Sequence, residues 1–368
     1  MYTRIRFLTV AALLITGAAG FAWLATAQPA AVDKEKPAEK AKAPEYRFSG
    51  PYTHENLTIF LVHGEDRLKG RKYMMLAEAL EKKLFVIHET QSVNNLTMEN
   101  LSPTDEVLVL SGDILKGGQQ DRVAQFDQFV APKSGKVALS VFCVEHTASR
   151  WMKPLTEKDK TFSSSPGQIC SNDLRLANRC NSNQGEVWAK VAKAQQDLSE
   201  KAGKDVKNKD SDSSLALSLQ TKEVLAAADK YVSKLAPIVK DKNDVLGYAF
   251  AINGKVYASD IYCSPALFQK AWPRLIQANA IEAFADMKKD KAFPAVAVAD
   301  IKSFLDDASK GKASGKKDAP AGIHQSTTES AKSYNIQSFI RDSKAPDAAK
   351  KEMPPLPALE LRSNSIAK

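Results

Sequence analysis

Short apolar runs separated by polar segments dominate the chain after about position 45. Five of these runs are rich in β-branched and aromatic side chains, which is typical of strands. They are Asn56–Gly64, Leu84–Thr90, Asp105–Leu115, Arg122–Val130 and Lys136–Glu145. Two further strands are predicted within Val245–Tyr262, on either side of Asn253-Gly254, because this dipeptide is a strong signal for a hairpin turn. The segment "APKSGK" predicts another hairpin loop, between Val130 and Lys136.

Helical spacing of apolar residues appears mainly in the second half of the chain. The predicted helices are Tyr73–Lys83, Gly185–Gly203, Thr221–Lys240, Ala299–Lys310 and a long one that begins at Ser264. Pro273 is expected to kink or split the last of these. Strands in succession followed by clustered helices favour an α+β fold. We therefore predict a single α+β domain over residues 46–342, with a largely antiparallel sheet and several packed helices.

Polar stretches are expected to form the surface. Lys153–Asn183 is predicted to be an excursion over the surface, and Lys204–Ser214 and Lys310–Gly322 are predicted loops. Two short polar strands are expected between Gly322 and Asp342, and residues 343–368 are expected to form a mobile tail.

The first residues resemble a secretory signal. Arg4 and Arg6 precede the apolar run Phe7–Leu24, and Ala25-Thr26-Ala27 is a small-x-small cleavage site. Residues 1–27 are therefore predicted to be a signal peptide, and residues 28–45 a disordered tether rich in Ala, Lys, Glu and Pro. An uncleaved membrane anchor is the alternative. Because of this signal we expect an exported protein. After cleavage, no remaining segment is apolar enough to predict contact with a membrane.

The charge balance adds little about partners. The chain has 52 Lys and Arg against 43 Asp and Glu, a formal charge of +9. The lysines are scattered among acidic residues and alanines, and no basic stripe is interleaved with aromatic residues. The pattern therefore argues against nucleic acid as a partner.

A polar segment enters the predicted Arg122–Val130 strand. Gly117 and Gly118 permit a tight turn or a close ligand approach, and Gln119, Asp121 and Arg122 supply donors and acceptors. Arg122 could bind phosphate or carboxylate through two parallel hydrogen bonds. The alternative is an ordinary turn with a solvated Gln-Asp-Arg. No G-x-x-x-x-G-K-[ST] or G-x-G-x-x-G phosphate loop is present.

A second polar group follows the Lys136–Glu145 strand. Glu145 is a candidate general acid or base if it is buried, because burial raises the pKa of a carboxyl group. Arg150 could clamp an anion and Trp151 could stack on a base or a sugar, while Gln184 is a candidate ligand contact. The alternatives are a solvated strand end, a surface ion pair and simple packing. If "APKSGK" closes an antiparallel hairpin, Arg122 and Glu145 lie at the same end of the sheet.

These segments together resemble one known family. The motifs "GGQQDR" (117–122), "FCVE" (142–145), "RW" (150–151) and "NQGEVW" (183–188) occur in the order seen in the ARG and rhodanese-phosphatase-superfamily-associated protein domain. The resemblance covers roughly Tyr46 to Asp342. The family name refers to ADP-ribosylglycohydrolase-type and phosphatase-type domains, so the resemblance implies a link to ADP-ribose or nucleotide chemistry by association.

The four cysteines are Cys143, Cys170, Cys180 and Cys263. An even number in an exported chain fits disulfides, and we predict a bridge between Cys170 and Cys180 because it would hold a segment with little core. Cys143 and Cys263 lie in strand-like runs typical of buried thiols. No metal-ligand spacing is present, so neither a metal nor another cofactor is predicted.

Three functions remain open at this stage. In the first, the exported domain binds an anionic small molecule, a nucleotide or an ADP-ribose-like group. In the second, it is a structural or interaction module without catalysis. In the third, it is a hydrolase that uses Glu145. The binding function is favoured if one open cleft receives Gln119, Arg122, Glu145 and Arg150. The module without catalysis is favoured if these residues pair with one another beneath a closed surface.

Overall fold

The computed structural model describes residues 45–146, 161–169, 171–181, 183–288, 291–319, 323–340 and 359–368. These residues all belong to one compact unit, Pro44–Lys368. The predicted signal peptide, and all but the last residue of the predicted tether, lie outside the described residues. Within the described ranges, no helix is long and apolar enough to cross a membrane.

Strands make up most of the regular structure. In chain order they are β1 (Arg47–His54), β2 (Leu57–His63), β3 (Tyr73–Met75), β4 (Phe85–Ser92), β5 (Asn95–Asn100), β6 (Glu106–Val109), β7 (Asp113–Gly117), β8 (Arg122–Ala124), β9 (Gln128–Val130), β10 (Lys136–Cys143), β11 (Phe162–Gln168), β12 (Val245–Ile252), β13 (Lys255–Tyr262), β14 (Lys312–Ala319), β15 (Ile323–Glu329), β16 (Ser333–Ile340) and β17 (Leu359–Ala367).

The strands form three sheets. The largest has eight strands in the order β1-β2-β12-β13-β17-β16-β15-β14, and each is antiparallel to its neighbours. A six-stranded antiparallel sheet has the order β11-β7-β8-β10-β5-β4. The third sheet has the order β3-β6-β9, with β3 parallel to β6. The sheets are therefore largely antiparallel, as the sequence predicts.

Helices cover the eight-stranded sheet and connect it to the others. They are α1 (Leu76–Glu81), α2 (Asn172–Leu176), α3 (Gln184–Ala202), α4 (Leu215–Leu219), α5 (Lys222–Leu235), α6 (Pro265–Ala285) and α7 (Val298–Ser309). A π-helical turn, Ala177–Asn181, continues α2, and a 3-10 turn, Ala236–Val239, continues α5. The mixture of sheets and helices confirms the predicted α+β class.

The main core lies between the eight-stranded sheet and α6. Tyr248 of β12 contacts Phe268 and Trp272 of α6, with ring centroids 6.1 and 5.3 Å apart. Each fully buried side chain of this size contributes about 1.5–3 kcal/mol through removal of apolar surface from water. A second core, which includes Phe85 and Met98, packs beside the six-stranded sheet. Packing in these two cores holds in place the sheets that carry the polar residues described below.

Several local predictions are confirmed. The Asn253-Gly254 hairpin forms between β12 and β13, with both turn residues at positive φ. Helix α3 ends at Gly203, whose φ of 65° is left-handed and suits glycine. The predicted helix Ala299–Lys310 corresponds to α7, and the two polar strands expected after Gly322 are β15 and β16.

Two predicted strands are each divided between sheets. The run Asp105–Leu115 turns at Gly112, where φ is +96°, so that β6 and β7 join different sheets. The run Arg122–Val130 divides in the same way into β8 and β9. The segment "APKSGK" therefore connects two sheets, and the strand that pairs with β10 is β8.

Three predictions from polar composition are wrong. The end of the supposed mobile tail forms β17, which lies between β13 and β16 inside the largest sheet. The supposed loop Lys310–Gly322 contains β14, and the supposed surface excursion contains β11, α2 and the π-helical turn. β17, β11 and the π-helical turn place Arg362, Gln168 and Arg179 in buried hydrogen bonds, which composition alone does not reveal. Pro273 also does not split α6, which runs unbroken through it.

Candidate functional site

The end of the β8–β10 pair brings most of the predicted site residues together. Arg122 pairs with Cys143 across the two strands, and the Asp121 backbone N–H donates to Glu145 Oε2 at 2.8 Å. Asp121, Arg122 and Glu145 are each fully buried, and so is Cys143. We call Gln120, Asp121, Arg122, Cys143 and Glu145 the hairpin-end cluster.

Asp121 is the centre of the hairpin-end cluster. Its Oδ1 accepts from the Gly117 backbone N–H at 3.1 Å, and its Oδ2 accepts from the Ser214 hydroxyl at 2.6 Å. Its backbone oxygen accepts from the Val144 N–H at 3.0 Å. One aspartate thereby closes the turn before β8, extends the pairing with β10 and fastens the start of α4.

Arg122 is held by backbone oxygens. Its Nε donates to the Val93 carbonyl at 3.0 Å and its Nη1 to the Gln120 carbonyl at 2.7 Å. Glu89 lies 3.9 Å from Nη2 and supplies the opposite charge. Because Nε and Nη1 already donate to backbone oxygens and the side chain is fully buried, Arg122 acts here as part of the framework.

Gly117 and Gly118 are required by close packing of the chain. Their φ values are +132° and +62°. A Cβ on Gly117 would lie 2.3 Å from the Thr161 carbonyl oxygen, and one on Gly118 would lie 2.3 Å from Phe162 Cζ. The glycines therefore let β11 pass against this turn, which accounts for them without a ligand.

Gln119 and Gln184, the two predicted amide contacts, both bond within the protein, Gln119 through its backbone and Gln184 through its side chain. The Gln119 backbone N–H donates to Glu89 Oε2 at 3.0 Å. Gln184 accepts from the Cys143 N–H at 2.8 Å through Oε1 and donates to the Cys143 carbonyl at 2.9 Å through Nε2. Gln184 thus imitates a neighbouring strand at the end of β10 and ties α3 to it.

The remaining predicted site residues give two different outcomes. Arg150, Trp151 and Cys170 lie outside the described residues. Cys180 carries a free thiol, so the predicted Cys170–Cys180 disulfide is wrong. Cys180 lies in the π-helical turn, where burial raises the pKa of its thiol to about 11. Packing of this turn supplies the local order that the bridge was expected to supply.

An open cleft lies next to the hairpin-end cluster. It has a volume of about 480 Å³ and is bordered by His146, Trp188, Lys207, Asp212 and Ser213. The rings of His146 and Trp188 meet edge to face, with centroids 4.4 Å apart. The indole Nε1 of Trp188 is buried and has no hydrogen-bond partner among the described residues. We call this cavity the Trp188 cleft; its volume is within the range of small-molecule sites.

A second set of polar residues lies deep in the fold. Arg362 of β17 donates to both carboxylate oxygens of Asp260 at 2.7 Å and to Asp127 at 2.8 Å. Arg179 of the π-helical turn donates to the other oxygen of Asp127 at 3.2 Å. We call these four residues the central ion network. All are buried, and the network joins β13 and β17 to the turn between β8 and β9.

Burial and charge compete in the central ion network. Burial alone would raise the pKa of Asp127, but the guanidinium groups of Arg362 and Arg179 outweigh it and lower that pKa. Nearby, burial raises the pKa of Glu282 despite its 2.7 Å ion pair with Arg175. These carboxylates are perturbed by structural ion pairs, which is an alternative to catalysis for groups of this kind.

Sequence reasoning missed the central ion network for an identifiable reason. Arg179 lies in the predicted surface excursion and Arg362 in the predicted tail, and both segments are polar enough to predict exposure. The available signal was weak: four of the nine residues of β17 are apolar, and only Leu361 and Ile366 among them are fully buried. Trp188 gave a clearer signal, because it has helical spacing with Val187 and Val191.

The described residues thus form an α+β fold with two antiparallel sheets, one mixed three-stranded sheet, a buried polar framework and an open cleft beside it. The chain belongs to the ARG and Rhodanese-Phosphatase-superfamily-associated Protein domain family, whose sequence profile matches residues 45–343. No curated protein and no solved structure matches the chain.

Proposed function

We propose that the protein is an exported module that binds an anionic small molecule, of the nucleotide or ADP-ribose class, in the Trp188 cleft. The observation that carries the proposal is the buried Trp188 Nε1–H, which lacks a partner among the described residues. Such a donor costs free energy unless a ligand or a water accepts from it. A phosphate or ribose oxygen in the cleft would be a suitable acceptor.

The border of the cleft fits such a ligand. Lys207 is exposed and offers an ammonium group to a phosphate. His146 is exposed, and its backbone N–H is fixed by a 2.9 Å hydrogen bond to the Ser213 hydroxyl. The hairpin-end cluster adjoins His146 in sequence and holds it in place. The family name supports nucleotide or ADP-ribose chemistry by association only.

A second candidate function is an exported structural or interaction module without a small-molecule ligand. The observation that favours it is that Asp121, Arg122 and Glu145 are fully buried and bond within the fold: the Asp121 N–H donates to Glu145, and Arg122 donates to the Gln120 carbonyl. A hydrolase that uses Glu145 as acid or base stays a prediction from the sequence.

Calorimetric titration of the mature protein separates the two functions. We expect ADP-ribose and ADP to bind and adenosine to bind more weakly, because only the first two carry phosphate for Lys207. Trp188→Phe should weaken ADP-ribose binding about tenfold, since it keeps the ring but removes the N–H donor. Its melting temperature should stay close to that of the unsubstituted protein.

Lysine variants provide the matched control. Lys207→Ala should weaken ADP binding and leave adenosine binding unchanged. Lys201 is an exposed residue of α3 that does not border the cleft. Lys201→Ala should therefore change neither ADP binding nor adenosine binding. Absence of binding heat for every one of these ligands would overturn the proposal and favour the module without a ligand.

Export is the second part of the proposal and is tested separately. Arg4, Arg6, the apolar run Phe7–Leu24 and the Ala25-Thr26-Ala27 site support it. N-terminal sequencing of the mature protein should begin at or near Gln28. A mature chain that begins at Met1 in the soluble cytoplasm would contradict export and leave the binding proposal unaffected.

A further inference from the structure

A serine, a histidine and an aspartate form a hydrogen-bonded chain at the edge of the largest sheet. Ser49 Oγ lies 2.7 Å from His63 Nε2, and His63 Nδ1 lies 2.9 Å from Asp244 Oδ1. Ser49 belongs to the edge strand β1, His63 ends β2, and Asp244 directly precedes β12. We call these three residues the β1 triad. None of them belongs to the hairpin-end cluster, the Trp188 cleft or the central ion network.

The hydrogen bonds of the β1 triad have a defined direction when the imidazole is neutral. A carboxylate only accepts, so the ring N–H of His63 lies on Nδ1 and donates to Asp244. His63 Nε2 then carries a lone pair and accepts from the Ser49 hydroxyl. A serine bonded to an imidazole that a carboxylate orients is the arrangement that activates a hydroxyl as a nucleophile.

Asp244 is held on both of its carboxylate oxygens. Oδ1 bonds to His63, and Oδ2 accepts from Arg47 Nη2 at 2.6 Å. The hydrogen bond with His63 lowers the pKa of Asp244, and the Arg47 guanidinium acts in the same direction. The carboxylate therefore fixes the tautomer of His63 and would stabilise the imidazolium that forms when His63 takes a proton.

The serine can be reached from solvent, whereas the histidine is protected. The side chain of His63 is only 10 % exposed. Ser49 is partly exposed, and Gly50 and Pro51 after it are exposed. The β1–β2 pairing is irregular between Ser49 and Tyr52, and such bulges redirect side chains, often beside active sites. A small molecule can thus approach Ser49 Oγ from the open edge of the sheet.

We propose that the β1 triad hydrolyses small carboxylic esters, with Ser49 as the nucleophile and His63 as the general base. Ser49 Oγ forms a bond to the acyl carbon while its proton passes to His63 Nε2. The Tyr52 hydroxyl, 3.4 Å from Ser49 Oγ, would donate to the oxyanion. The bond to the alcohol then breaks, and the alcohol leaves with the proton from His63. A water molecule that gives its proton to His63 in the same way releases the carboxylic acid and restores Ser49.

The position of Ser49 limits the substrate class. A strand edge that is open to solvent offers little surface to hold a large ligand. Arg47, the cation beside the triad, is already paired with Asp244, so it favours no anionic substrate. We therefore expect neutral esters with a small acyl group. This activity does not depend on the function proposed for the Trp188 cleft.

Covalent labelling of the mature protein with a fluorophosphonate tests the nucleophile. Ser49 Oγ would form a bond to phosphorus, fluoride would leave, and His63 would take the hydroxyl proton. Peptide mapping by mass spectrometry should find the adduct on Ser49. His63→Gln should slow the labelling about a hundredfold, because the general base is lost. The proposal is overturned if the unsubstituted protein carries no adduct on Ser49, or if His63→Gln reacts at the same rate.

Hydrolysis of p-nitrophenyl acetate tests the positioning role of Asp244. Asp244→Asn should lower kcat about tenfold or more and leave KM unchanged, because Asp244 orients His63 without touching the substrate. The matched control is Asp306→Asn, which breaks another exposed aspartate pair, with Lys310, and should keep the kcat of the unsubstituted protein. An unchanged kcat in Asp244→Asn would mean that the three residues form only a structural hydrogen-bond chain.

Ser49→Ala decides the matter even if Asp244→Asn fails to fold. It removes only the hydroxyl and keeps the His63–Asp244 hydrogen bond, so its melting temperature should stay close to that of the unsubstituted protein. We expect it to take up no label at position 49 and to hydrolyse the ester no faster than free imidazole at the same concentration. Hydrolysis by Ser49→Ala at the unsubstituted rate would overturn the proposal.

Discussion

Asp121 illustrates how one residue can resemble a ligand contact in the sequence and serve the framework in the structure. Its carboxylate accepts from Gly117 and Ser214, which are far apart in the chain. The neighbourhood of Arg122 and Glu145 could be predicted from strand pairing alone. The roles of Ser214 and Gln184 could not, because a polar residue in a loop or at a helix start carries no sign of a partner so distant in sequence.

Asp127 provides a test at the scale of one residue. Asp127→Asn should lower the free energy of unfolding by about 3–5 kcal/mol, because it leaves Arg179 and Arg362 buried with less opposing charge. Asp306→Asn, which breaks an exposed pair with Lys310, should cost about 0.5 kcal/mol or less. Urea denaturation measures the free energy of unfolding of both variants. A similarly small decrease in the two variants would show that the central ion network contributes little to stability.

At the scale of secondary structure, apolar strands and amphipathic helices could be predicted and polar strands could not. The β12–β13 hairpin and α3 were accessible because turn residues and apolar spacing specify them locally. β14 and β17 were not, because three lysines occupy β14, polar residues take five of the nine positions of β17, and both pair with strands elsewhere in the chain. The division of Asp105–Leu115 between two sheets likewise depends on tertiary packing around Gly112.

β17 allows a direct test of an element. A chain that ends at residue 358 lacks a strand that pairs with both β13 and β16, and it also lacks Arg362. We expect this chain to lose its cooperative thermal transition, as measured by circular dichroism. Removal of Lys368 alone, which lies beyond β17, should leave a cooperative transition. A cooperative transition in the shorter chain near the temperature of the full one would show that the sheet does not need β17.

At the scale of the whole molecule, the buried carboxylates predict how stability depends on pH. The pKa of Asp127 is lowered on folding, so its contribution is present above about pH 4 and is lost as the pH falls through the folded pKa. The pKa of Glu282 is raised, so its contribution is present below about pH 4 and is lost as the pH rises through the folded pKa.

Urea denaturation between about pH 2.5 and 7 checks both signs. Asp127→Asn should flatten the loss of stability on the acid side, below about pH 4. Glu282→Gln should flatten the decline above about pH 4.5 and leave the acid side unchanged. An unaltered pH profile in either variant would contradict the ionisation assigned to that residue.

The position of β17 also has a kinetic consequence. The hairpins β12–β13 and β15–β16 can form from nearby residues, but β13 and β16 have no direct pairing and meet only through β17. Until Leu359–Ala367 has been synthesised and inserted, each half of the sheet presents an unpaired edge. Such edges attract other strands, and pairing over a long sequence separation is slow. Insertion of β17 is therefore the step at which folding competes with aggregation, and the two halves become a single sheet only when it is complete.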